Sequence, residues 1–200
     1  MNKSHRIGIL AFGSLINDPG VELKEVEVQR VRVETPFPVE FARYSRSRDG
    51  APTLVPVTQG GARVNAKILV LLPEVSLEQA EDILWRRETD RVNSAMTYPR
   101  RQSRNAVRVR VIRDLAGVDA VLYTDFYAAS KIGSPKPVNL ARHSISSAKS
   151  RRDGKDGITY LINAKASDIR TPLMEKYEKE ILRLTDTDSL LEALRKLQEG

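Results

Sequence analysis

The chain has 200 residues, 40% of them hydrophobic and 30% charged, and no cysteine. That length supports a real core in one domain, with room for a helical appendage, and the missing thiols exclude disulfides, thiolate catalysis and cysteine-ligated zinc. A formal charge of +7 admits three causes: a nucleic-acid partner, an anionic small molecule, or solubility alone.

The opening "MNKSHRIGIL" lacks a signal-length apolar run, and no segment reads as a membrane span. The expectation is a soluble, cytoplasmic protein. Ile7 to Ala11 reads as a buried strand ending at a turn signal. Val26 to Glu34 alternates, but the alternation breaks midway, which suits a bulged strand. Val39 to Ala42 and Pro52 to Val57 read as short extended pieces. Gly60-Gly61 is a hairpin signal before the apolar strand Arg63 to Leu72. Ser76 and Gln79 form a capping box that opens a helix through "LEQAEDILWRRE". Val107, Val109 and Val111 alternate with Arg108 and Arg110, a strand with a basic outer face, and Ala120 to Tyr127 follows. About seven strands with turn-rich spacing favour a small barrel or a strongly curled sheet. After residue 137 the chain turns helical: "GITYLINAKA", "PLMEKYEKEILRL" and "DSLLEALRKLQ". Pro172 suits a first helical turn, and Asp188 an N-cap. The expected class is therefore α+β, a small mixed β-barrel with flanking helices over residues 1–137, and a helical C-terminal segment, 138–200, packed on the same domain.

Two places attract chemistry. In Phe12-Gly13-Ser14-Leu15 a strand runs into a turn. Gly13 can adopt a positive φ, and successive N–H groups in such a turn make an anion nest. A plain exit from a sheet reads equally well. The second place is Glu88. At 100° per residue, Leu84 and Glu88 both fall within about 20° of Leu77, so a carboxylate stands in the apolar stripe. A shielded carboxylate is paired, hydrogen-bonded or neutral, and burial is one way a glutamate becomes a general acid or base. The alternative is a structural ion pair with Arg86, Arg87 or Arg91.

These pieces together resemble the gamma-glutamylcyclotransferase-like family. That family opens with a strand followed by [YF]-G-S-L, here "AFGSL"; continues with a segment similar to "APTLVPV" and an apolar strand, here "ARVNAKILVLL"; and then carries an essential acidic residue on a helix, here Glu88. The Arg87-Glu88 pair resembles the glutathione-specific branch. The resemblance runs from Ile7 to Tyr127. It implies an enzyme, a lyase or transferase, that cyclises the gamma-glutamyl group of an amine or peptide to 5-oxoproline. It implies Glu88 as the catalytic residue, and Phe12, Gly13, Ser14, Leu15 and Tyr98 as substrate-binding residues. It implies no cofactor and no metal. The sequence departs from the family at Phe12, where tyrosine is more usual, and at Asn65-Ala66, where a glycine often stands.

Two rival readings remain. One is a non-catalytic small-ligand or protein-interaction domain on the same fold. The other is a basic nucleic-acid-binding protein, carried by Arg100, Arg101, Arg104, Arg108, Arg110 and Arg113. A second basic group, Lys149, Arg151, Arg152 and Lys155, sits in a Ser/Gly-rich stretch and reads as a solvated loop. His5 and His143 lack metal or triad spacing, and Trp85 reads as packing. The sequence does not fix an oligomeric state.

Overall fold

The computed structural model describes residues 6–99, 101, 106–151 and 153–199. Arg100, Arg104, Arg152 and His5 lie outside the described residues. In chain order the elements are β1 (Ile7–Ala11), a 3-10 turn (Gly13–Ile16), α1 (Val21–Val26), β2 (Glu27–Glu34), β3 (Val39–Ser45) and β4 (Ala51–Pro56). Then come β5 (Asn65–Leu71), α2 (Leu77–Glu88), β6 (Val107–Leu115) and β7 (Val118–Phe126). Four helices finish the chain: α3 (Pro137–Ser150), α4 (Gly157–Ala166), α5 (Met174–Thr185) and α6 (Leu190–Glu199). The class is α+β. The chain forms two compact units, Met1–Thr35 with Asn65–Ala129, and Pro36–Val64 with Ser130–Gly200.

The first unit holds a mixed five-stranded sheet in the order β2-β5-β1-β7-β6. β1 is central, antiparallel to β5 and parallel to β7, with all five residues buried. This is why its sequence is a continuous apolar run without alternation. β2 and β6 are edges and carry the charged residues that discourage further strand pairing. The β2–β5 register shifts between Glu27 and Gln29, the bulge that the broken alternation suggests. α2 packs on β1, β6 and β7. Its capping box is formed in full: Gln79 N–H donates to Ser76 Oγ at 3.2 Å, and Ser76 N–H donates to Gln79 Oε1 at 2.8 Å. α1 is an element the hydrophobic pattern does not announce.

The expected barrel is not formed among the described residues. β3 and β4 pair with each other and with none of the five, so the strands that would have closed a barrel make a separate antiparallel ladder. Gly60 and Gly61 do turn the chain, both at positive φ. They do not make a β4–β5 hairpin; Ala62 bridges back to Val39 instead.

The second unit sets the β3–β4 ladder among α3–α6. Its core includes Phe41, Leu140, Ile158, Leu161 and Tyr177, with the Phe41 and Tyr177 rings edge-on at 5.2 Å. Glu40 is 4% exposed. It accepts from Thr171 Oγ1 at 2.6 Å, Leu173 N–H at 3.1 Å and Phe41 N–H at 2.9 Å. α3 escapes a reading by apolar period because its buried stripe is Leu140, Ala141, Ser144, Ser147 and Ala148. Serines stand where hydrophobes are expected, and they are satisfied internally. Ser144 Oγ bonds the Tyr177 hydroxyl, and Ser147 Oγ accepts from Gly157 N–H at 3.0 Å. At α6 the cap is Ser189, not Asp188: Glu192 N–H donates to Ser189 Oγ at 3.2 Å. Pro172 lies in the turn before α5 rather than in its first turn. Among the described residues no helix is long and apolar enough to cross a membrane.

Candidate functional site

β1 delivers the chain into the Gly13–Ile16 turn at its C-terminal end. Gly13 takes φ 64, a left-handed value that costs other residues about 1 kcal/mol or more. Phe12 stands at the N-cap with no side-chain hydrogen bond to the turn. The first N–H groups of such a turn have no acceptor within it. At the other end, Ser14 C=O accepts from Asn17 N–H at 3.3 Å and Asp18 N–H at 2.9 Å. Gly13 and Leu15 are buried, and Ser14 is half-buried.

α2 brings its last turn to the same place. Arg87 is the link. Its Nη1 donates to Glu88 Oε1 at 2.8 Å. Its Nη2 donates to Asp18 C=O at 2.6 Å and to Ser14 Oγ at 3.3 Å. One guanidinium thus spans the distance from the carboxylate to the turn. The Arg87 and Glu88 side chains are 14% and 17% exposed, so the pair is shielded without being sealed. Gly20, at φ 86, lies under the Arg87 stem: a Cβ there would meet Arg87 Cγ at 3.3 Å. Beside it, Arg86 holds Glu22 of α1 at 2.8 Å and donates to Met96 C=O at 3.1 Å. Arg91 lies over the Trp85 ring at 5.0 Å. The end of α2 is therefore anchored on both flanks by arginines.

The ion pair weighed for Glu88 in the sequence is present, with Arg87 as its partner. Among the described residues no donor engages Glu88 Oε2. Arg87 thus fixes one carboxylate oxygen and leaves the other open to a further hydrogen-bond partner. Tyr98 is placed differently. Its N–H donates to Asp82 Oδ1 at 2.7 Å, and its hydroxyl accepts from Val109 N–H at 2.9 Å. Its ring lies 6.5 Å from Trp85. The hydroxyl thus serves the start of β6, and Asp82 lies six residues before Glu88, about 9 Å along the helix. The structure joins Ser14 to Glu88 through Arg87.

The arginine strand is also divided. Arg108 is paired with Asp125 at 2.9 Å, donates to Phe126 C=O and lies over the Tyr127 ring at 4.1 Å. Arg110 and Arg113 are exposed. Among the described residues no group of three or more metal-ligating side chains converges. Sequence reasoning missed two participants, Asp18 and Gly20. The signal for both was present in the Asp-Pro-Gly turn that follows "FGSLIN". Compared with known proteins, the chain matches no family model and no curated protein sequence.

Proposed function

We propose that the chain is a gamma-glutamylcyclotransferase-like enzyme with the fold of that family. The substrate would be a gamma-glutamyl amine or peptide, glutathione among the candidates, and the setting cytoplasmic. The observation that carries this reading is Arg87, which places Glu88 one guanidinium away from the Gly13–Leu15 turn. Glu88 accepts a proton from the substrate α-ammonium on Oε2. The freed amine attacks the γ-carbonyl and closes a five-membered ring. The same carboxyl returns the proton to the departing amine, giving 5-oxoproline and the released amine. The first N–H groups of the turn receive the substrate carboxylate or the oxyanion that develops on the carbonyl. Attack within one molecule exploits proximity, so a single proton carrier and an oxyanion cradle suffice.

The test is 5-oxoproline release from a panel of gamma-glutamyl amines and peptides that includes glutathione. Glu88→Gln should reduce turnover by about 100-fold or more with an unchanged melting temperature. Release that persists in the variant removes Glu88 from the mechanism. No release from any substrate favours the second reading, a ligand-binding domain without turnover. The occupied state of Glu88, already paired with Arg87, is the observation on that side.

A further inference from the structure

The net charge is not where the arginine strand suggests. The first unit carries 15 Lys and Arg against 14 Asp and Glu, and the second 18 against 12, so +6 of the chain's +7 belongs to the second unit. Two of the acids in that unit, Glu40 and Asp156, are buried at 4% and 0% exposure and add little to its surface. From Ser130 to Arg152 the sequence has six basic residues and no acidic one. α3 runs through this stretch. Its outward stripe is Asn139, Arg142, His143, Ser146 and Lys149. Tyr44 of β3 stands beside it, and Arg46, exposed, opens the 3-10 turn that follows β3. The His143 ring stacks on Tyr44 with centroids 3.8 Å apart and planes 21° from parallel. Among the described residues Arg46 and Arg142 make no ion pair, whereas the nearby Asp49 is engaged by Arg151 and Ser150.

We infer that this face of the second unit, with Arg46, Arg142 and Lys149 around the Tyr44–His143 stack, binds single-stranded nucleic acid. The chemistry matches in two independent respects. The cations track a phosphate backbone and release its counterions. The outward imidazole, held flat by Tyr44, offers a ring on which a base stacks. A duplex would hide its bases from that ring. A bilayer would call for apolar side chains to insert, yet none of the exposed large hydrophobic residues lies on α3. Asn139 and Ser146 add hydrogen-bonding groups along the same track.

The experiment is fluorescence polarisation of the full chain with a labelled single-stranded oligonucleotide, across a salt series. The same-length duplex, heparin and phosphatidylserine vesicles serve as comparators. The expected result is binding to the single strand that weakens steeply with salt. The double variant Arg46→Glu/Arg142→Glu should bind at least tenfold more weakly and flatten the salt slope by about 1.4, since each contact to a single strand contributes about 0.7. His143→Ala should weaken oligonucleotide binding about fivefold or more and leave heparin binding unchanged. Circular dichroism checks that these surface variants fold. The inference is overturned by absence of binding at low salt, or by loss on reversing Arg110 and Arg113 instead. It is equally overturned by binding to duplex or vesicles in preference to the single strand, or by a His143→Ala variant that binds normally.

Discussion

Glu88 in the first unit and Glu40 in the second are both shielded carboxylates, held in opposite ways. Glu88 shares its charge with an adjacent guanidinium, remains 17% exposed and keeps one oxygen without a donor among the described residues. Glu40 is 4% exposed and, among the described residues, is met only by neutral donors, a hydroxyl and two backbone N–H groups. The first arrangement leaves one carboxylate oxygen open to a further partner. The second engages both carboxylate oxygens in joining β3 to the segment that leads into α5. Depth of burial alone does not distinguish the two carboxylates; what separates them is the nature of the partners and the oxygen left over.

The contrast can be broken most sharply at Glu40. Glu40→Ala strands a buried hydroxyl and two N–H groups, and should cost about 3 kcal/mol or more in urea denaturation. Loss of hydrogen-exchange protection should appear first in β3 and early α5. A cost below about 1 kcal/mol would show that Glu40 is not the joint. Arg87→Ala is expected to cost less, about 2 kcal/mol, because its groups are nearer to water. Its mark is local: faster amide exchange from Ser14 to Asp18, with Arg87→Lys only partly restoring protection because lysine lacks the planar fork. An unchanged turn in Arg87→Ala would dissolve the link between Glu88 and Gly13–Leu15.

Tyr177 sharpens the comparison through pH. Burial holds its phenol far above the ordinary 10.0, against a smaller opposing effect of the Ser144 hydrogen bond. Above about pH 10 the unfolded chain releases this proton and the folded chain does not. Stability is therefore intact at lower pH and falls as pH rises past that value, by up to about 1.4 kcal/mol per pH unit. Tyr177→Phe should remove this alkaline slope while costing about 1 kcal/mol at neutral pH for the lost Ser144 partner. The smallest effect belongs to Asp153. Arg151 holds its carboxyl well below the usual range, so any contribution is present at neutral pH and lost only in strong acid. Both groups meet at a hydrated surface, and Asp153→Asn should leave the melting temperature unchanged.

Local signals were the legible part of this chain. The apolar run of β1, the capping box of α2, the bulge in β2 and helices α4–α6 all depend on neighbours within a few residues. The turn at Gly13 belongs with them, since its φ follows from the glycine itself. What failed was long-range. Nothing in "VEFARYS" or "APTLVP" says that these strands pair with each other rather than with β1 or β5, and so the sheet stays open. Glu40 was illegible for the same reason: its donor Thr171 is 131 residues away. α3 was hidden because serine replaced leucine on its buried face, which defeats any search for apolar period. The Arg87 bridge was half visible, as an ion pair one residue long; its reach to Asp18 depends on where α2 lies against β1.

The interleaving of the two units also sets an order of assembly during synthesis. The first unit has all its strands once residue 129 has left the ribosome. The β3–β4 ladder has by then been made for some 70 residues, yet its helices follow, and the hydroxyl that satisfies Glu40 arrives later still. During that interval Glu40 lacks its donors Thr171 and Leu173, while loop-closure entropy delays the late contact. A nascent chain halted before Thr171 would thus present a finished first unit and an exposed hairpin, the form most open to chaperones and proteases.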